Sequence, residues 1–436
     1  MSNSNQIWIA GVVAILIFSP IIASPIAFST GLTLSKPALA YHTYILIDGR
    51  DGKSHLIGMK GEEVKTWNYA GFPSLMIDPK LIGGKLGHVL VQKEGMGGHG
   101  PDIFQNKTVA ELDWEGKVVW EWGEQAPGGA ASQNHDIARL PNGNTLLVST
   151  IVHAIPGFDA ATVPDQCIYE VSRAGEIVWK WISSEHLNEM GFSAEGLAMI
   201  HRGFSISGAQ SGFLVINNMK PLGPNHWFQG GDTRFHPDNI IIDSREGNFI
   251  AIIEKASGKI VWRIGPYYPD TGQPPYRREY NHNVPRPVDQ LAGQHDANMI
   301  AEGLPGEGNL LVFDNQGAAG FPPAYISSVV GSRVLEIDPV KKEIVWHYDA
   351  EDSDQAPWMF YSSFISSARR LPNGNTLICE GMTGRIFQVS PEGEIAWEYV
   401  SPFFGRRAFG GREVRTNFVY RAQPVPYEWT PVGKPQ

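Results

Sequence analysis

Among the 436 residues of this chain, thirteen histidines are the side chains best suited to chemistry near neutral pH, and position separates them. His135 lies in Gln133-Asn134-His135-Asp136, five residues before the strand-like stretch LPNGNTLL at 140–147. His295 lies in Gln294-His295-Asp296, before the comparable LPGEGNLLV at 304–312. His236, in Phe235-His236-Pro237-Asp238-Asn239, precedes the apolar run NIIID and is expected to open an inner strand. A neutral imidazole is a nucleophile, and a protonated one holds anionic oxygen. Three of them would converge only in a closed ring of repeats, each aimed at one axial funnel. The plainer reading is that each His-Asp pair satisfies backbone groups between neighbouring repeats. The remaining histidines fall on an outer strand, in loops, or in the irregular early part of the chain.

Other chemistries find little support. Three histidines can hold zinc, but no H-x-x-x-H or C-x-x-C spacing occurs, and Cys167 and Cys379 are far apart. No metal site and no disulfide are expected. The G-x-S-x-G elbow of serine hydrolases and the G-K-[ST] phosphate loop are both missing, and no cofactor motif is present.

The elements that would position these residues come from the repeats. With 48 Gly, 31 Pro and 13 Trp, and 42% hydrophobic residues, the chain is neither a helical bundle nor disordered. Six segments share the form Gly-x-x-Val-x-x-Trp or a near variant: GEEVKTW at 61–67, GKVVWEW at 116–122, GEIVWKW at 175–181, GKIVWRI at 258–264, KEIVWHY at 342–348 and GEIAWEY at 393–399. Each follows a β-branched run, so the glycine marks a tight hairpin. Upstream, LPNGNTLL at 140–147 and LPNGNTLI at 371–378 carry a second hairpin at Asn-Gly. Four strands per repeat, six repeats and no intervening helices predict an all-β, six-bladed β-propeller over residues 31–436. The tail around residues 414–429 is expected to close the ring against the first repeat. Residues 183–235 and 266–293 read as insertions, the second Pro- and Tyr-rich and suited to roofing the funnel.

Residues 7–28 are 22 uncharged, largely apolar residues, long enough to cross a bilayer. Residues 1–30 are therefore expected to be a signal peptide or membrane anchor, placing the propeller in the periplasm or outside the cell. The net charge of −10 argues against a nucleic-acid partner.

In their order along the chain, NHDIARLPNGNTLL, HPDNIIIDSREGN, SGKIVWRIGP, QHDAN with LLVFDN, SRVLEID, RRLPNGNTLI and GEIAWEY resemble the bacterial arylsulfate sulfotransferase family, from about Gly31 to Trp429. The resemblance implies an exported six-bladed propeller that transfers a sulfuryl group from an aryl sulfate to a phenol, without PAPS, through a sulfated histidine. It implies catalytic roles for His295 first, then His135, with His236 supporting. Arg333, Asn239, Asn298 and Arg245 are the implied holders of substrate oxygens. In the family the sulfuryl-accepting histidine belongs to a late blade, whereas no histidine follows His347 here. Ser362, Ser363 or Ser366 stands in that region, and the stretch DNQGAAGF from Asp314 has no arginine. The competing function is therefore a non-catalytic, membrane-anchored propeller that binds a ligand or partner protein. SGKIVW also resembles the repeats of quinoprotein dehydrogenases, but six repeats and no adjacent cysteine pair count against that class.

Overall fold

The computed structural model describes residues 29–93, 106–205, 212–268, 285–324, 331–409 and 412–435. Six antiparallel sheets form the blades of a propeller around a central channel. Their inner strands are Ala422–Val425 in the first blade, Leu75–Met76, Ile137–Arg139, Ile216–Pro221, His295–Met299 and, in the sixth, Ser367–Arg370. The rim at which the inner strands begin is termed upper, and the rim at which they end lower.

The ring is closed at one seam by both ends of the chain. Ala422–Val425 pairs with Tyr44–Asp48 in register Tyr44 to Val425 and Ile47 to Ala422, so the expected closure by the tail is observed. Beside it, Gly31–Ser35 adds a fifth, outer strand to the sixth blade along Ile395–Val400. Arg286–Pro287 similarly widens the fifth blade.

The repeated tryptophans explain why the blades stay together. From every blade an indole N–H donates to a carbonyl in an outer hairpin of the next. Such bonds run from Trp67 to Asp113, Trp122 to Gly175, Trp181 to Gly258, Trp262 to Pro339, Trp346 to Pro391, and Trp397 to Met59, at 2.8–3.0 Å. The last links the sixth blade to the first. Gly175, at φ 90°, occupies a left-handed position open to glycine at little cost, which is why the motif begins with that residue. Apolar residues fill the spaces between blades. Trp181, Leu146 and Ile168 of the third blade pack with Ile240, Ile242 and Ala251 of the fourth.

One expectation is corrected here. Residues 183–235 are not simply an insertion, because they contain the inner strand Ile216–Pro221 of the fourth blade. They also hold the helix Ala194–His201, which starts where the Ser193 side chain accepts the Gly196 N–H. The strand after His236, Ile240–Ser244, is the second of its blade and pairs on both sides, with Ile216–Pro221 and Phe249–Ile253. Residues 1–28 lie outside the described residues. Among those described, no helix is long and apolar enough to cross a membrane.

Candidate active site

Two of the three expected histidines meet at the upper rim. His135 precedes the third inner strand, His295 begins the fifth, and both are buried. His135 takes a left-handed backbone, φ 54°. Its Nδ1 lies 2.7 Å from Asn134 Oδ1. The Asn134 amide is oriented without ambiguity: its Nδ2 donates to Ser132 O and Thr150 Oγ1, and its Oδ1 also accepts from Gln166 Nε2. His135 Nδ1 therefore carries the proton, and the ring's lone pair is on Nε2. Phe72 and Tyr420 pack edge-on to the ring at 5.1 and 5.9 Å, and they stack on each other at 3.9 Å. Burial, then the charges of His295 and Arg421, push His135 well below its ordinary pKa, with Asp136 opposing.

His295 is bound on both nitrogens. Its Nδ1 donates to Asn315 Oδ1 at 2.8 Å and faces Gly293 O at 2.9 Å, while Nε2 accepts the Ile365 N–H at 3.1 Å. Burial, followed by the nearby charge of Arg245, lowers its pKa to about 3. Ile365 holds φ 56°, a costly conformation for a β-branched residue. Its N–H on His295 and its carbonyl, which accepts from Asn315 Nδ2, fix it there. Arg245 follows the second strand of the fourth blade, which runs up to the same rim; its N–H donates to Asn217 Oδ1, and its charge depresses both imidazoles.

Just below the histidines an ion-pair layer crosses the channel. Arg421 reaches Asp136 at 2.8 Å and Asp296 at 3.3 Å; Lys220 pairs with Asp136 at 2.7 Å, and Arg369 with Asp296 at 2.7 Å. Burial alone would raise the Asp136 carboxyl, but Arg421 and Lys220 outweigh it and hold it at about 2. These two aspartates, and Asp243 close to them, also join blades: Asp136 accepts the Met219 N–H, Asp243 the Ala297 N–H and Asp296 the Ala368 N–H. The aspartate after each histidine thus performs the inter-blade work that the plainer reading assigned to the pair.

The other expected residues lie elsewhere. His236 is at the lower rim, with its side chain 44% exposed, and it packs on Phe228. Its expected place beside His135 and His295 is corrected, because an unrecognised inner strand precedes it. Asn239 ties its own turn together at that rim, donating to Arg234 O and accepting from Lys255 N. Asn298 donates to Asp296 O, Leu311 O and, across to the sixth blade, Ala368 O. Arg333 is clamped between Asp314 at 2.6 Å and Asp289 at 3.1 Å on the third strand of its blade. These bonds are architectural, so the oxygen-holding roles expected for Asn239, Asn298 and Arg333 are not what their contacts serve. Of the late-blade serines, Ser366 Oγ donates to Ser362 Oγ, which donates to Phe364 O; both are buried. Ser363 contacts Met382 Sδ.

Arg421, Lys220, Arg369, Asn134, Asn315 and Tyr420 escaped sequence reasoning. One signal was available: two buried aspartates in His-Asp pairs require cations, and the sixth and first blades carry, in or beside their inner strands, Arg369, just after Ala368, and Arg421, just before Ala422.

A sequence profile of the arylsulfotransferase (ASST) family matches residues 87–397, well over half of the chain. The chain belongs to the arylsulfotransferase family. Membership assigns aryl sulfuryl transfer as its general activity, with aryl sulfates and phenols as the substrate class. No curated protein sequence matches this arylsulfotransferase. Among solved structures it is similar to a protein of unknown function from Bacteroides caccae, with TM-score 0.47, 13% identity, and 88% of this chain and 99% of that one covered. It is also similar to virginiamycin B lyase from Staphylococcus aureus, with TM-score 0.39, 11% identity, and 89% and 91% covered. The β-propeller domain of Myceliophteria thermophila Cps50 (Swd1) aligns with TM-score 0.40, 10% identity, and 86% and 87% covered.

Proposed function

We propose that this arylsulfotransferase works through a sulfohistidine at the upper rim, with His135 Nε2 as the nucleophile. The observation that carries this reading is the bonding of the two imidazoles. His295 holds the Ile365 N–H on its Nε2 lone pair, and the oriented Asn134 fixes the His135 proton on Nδ1, which makes Nε2 the basic nitrogen of that ring. The order expected from the sequence, His295 before His135, is therefore reversed, and His295 acts as a positioning residue. Because His135 resists protonation, it is neutral at pH 7, the form that attacks.

In the first half-reaction Nε2 attacks sulfur, the N–S bond forms, and the bond from sulfur to the aryl oxygen breaks. The phenolate leaves with that electron pair. The ring is then an imidazolium carrying the sulfuryl group on Nε2, and its Nδ1–H still donates to Asn134. In the second half-reaction a phenol oxygen attacks sulfur, the N–S pair returns to Nε2, and the phenolic proton passes to water. Arg245 is placed to offset charge growing on the sulfate oxygens. Phe72 and Tyr420 offer an aromatic wall to the substrate ring. The test is release of nitrophenol from 4-nitrophenyl sulfate with a phenol acceptor. His135→Ala should reduce turnover to background; turnover equal to the wild-type rate overturns the assignment.

We further propose an exported protein anchored by residues 7–28. Gly31 pairs with Val400 at the upper end of its outer strand, so the chain joins the propeller at the histidine rim. Removal of residues 1–28 should shift the protein from the membrane to the soluble fraction, and unchanged sedimentation with membranes contradicts the anchor.

One observation favours a second reading, a non-catalytic propeller. Ser362 and Ser366, where the family's late-blade histidine is expected, bond to each other and not to an imidazole. That reading expects no nitrophenol release from well-folded protein.

A further inference from the structure

Below the ion-pair layer the channel is not filled. A cavity of about 250 Å³ opens toward the lower rim, walled by the inner strands of five blades. It lies on the opposite side of the Asp136–Arg421–Asp296 layer from His135 and His295. Its ceiling is cationic: Lys220, Arg369 and Arg421 set three positive charges against the two carboxylates of Asp136 and Asp296. The third carboxyl of the layer, Asp243, leaves Oδ1 without a hydrogen-bond partner among the described residues, and burial pushes its pKa well up. Arg139, also on the wall, is occupied by Glu111, and Asp78 at the mouth accepts the Lys80 N–H. Lys220 Nζ has one acceptor among the described residues, Asp136 Oδ1, so an ammonium with three donors has capacity left for a ligand. The remaining wall is mostly apolar, from Leu75, Met76, Leu81 and Trp429, and its polar members Ser74 and Gln423 are spent on Asp48 and on the Met76 backbone.

A cationic end and an apolar barrel select one kind of guest. We propose that the lower pocket binds a small organic monoanion, a carboxylate or sulfonate on an aromatic or short aliphatic body. The head group meets Lys220 and Arg369, and the body lies against Leu75, Leu81 and Trp429. The site is separate from the sulfuryl-transfer rim and does not depend on that assignment.

The test is a fluorine NMR titration of the full-length protein with 4-fluorobenzoate. The wild-type protein should show one saturable site. Lys220→Met should weaken it about tenfold or more, the loss of one charge-assisted contact, and Lys220→Arg should retain it. Leu81→Trp, which touches no ion pair, should block the site by filling the barrel, and it serves if Lys220→Met does not fold. His135→Ala should leave binding unchanged. Three results overturn the proposal: no saturable binding to folded wild-type protein, binding indifferent to both Lys220→Met and Leu81→Trp, or binding lost in His135→Ala alone.

Discussion

Replacing His295 with glutamine should alter the pH dependence of stability more informatively than it alters stability itself. His295 is buried, donates to Asn315, and accepts from Ile365, so at pH 7 His295→Gln should cost about 1–3 kcal/mol through imperfectly satisfied buried partners. The folded-state pKa of His295 is about 3 against an ordinary 6.5, so the unfolded chain binds its proton first as pH falls. The stability that the neutral ring contributes is fully present above about pH 6.5 and is lost progressively down to about pH 3, at roughly 1.4 kcal/mol per pH unit. Between about pH 7 and pH 5 the wild-type protein should therefore lose about 2 kcal/mol through this residue, while the glutamine variant loses nothing through it. The difference between the two proteins, read from urea unfolding at both pH values, removes the contributions of the other histidines. A gap that narrows by about 2 kcal/mol supports the buried, neutral, doubly bonded imidazole. Parallel stabilities across that range refute it.

Arg333→Met should leave Asp289 and Asp314 without their shared cation and destabilise the protein by about 3–5 kcal/mol in thermal or urea unfolding. Activity per folded molecule should hold, which a substrate-binding arginine would not allow. Trp397→Phe removes the indole bond to Met59 at the seam and should cost about 1–2 kcal/mol without changing KM. His236→Ala, at the exposed lower rim, should leave both stability and nitrophenyl sulfate turnover at wild-type values. Truncation before Ala422 removes the inner strand of the first blade, and size-exclusion chromatography should show loss of the compact monomer.

The propeller was legible because its signals are local and repeated. Gly-x-x-Val-x-x-Trp fixes a hairpin and an outer strand at once, and the indole bonds show why tryptophan recurs in it. The fourth blade was harder to read because its inner strand, Ile216–Pro221, lacks the Asn-Gly hairpin that marked the third and sixth blades. Without that punctuation His236 was set one strand too early, and therefore on the wrong rim. Arg333 was misread for a different reason. An arginine opening a strand carries no trace in the sequence of the two carboxylates that clamp it, since Asp289 and Asp314 arrive from other segments. Arg421 is the clearest case: it binds Asp136, about two thirds of the chain away, and only ring closure brings them together.

The central claim, that His135 and not His295 receives the sulfuryl group, is tested most directly by trapping the intermediate. The protein is mixed with 4-nitrophenyl sulfate without acceptor and quenched, and its peptides are analysed by mass spectrometry under conditions that preserve the N–S bond. One added SO₃ should appear on the peptide bearing His135, with a stoichiometric burst of nitrophenolate. Sulfation of His295, or a burst with His135 unmodified, would contradict it.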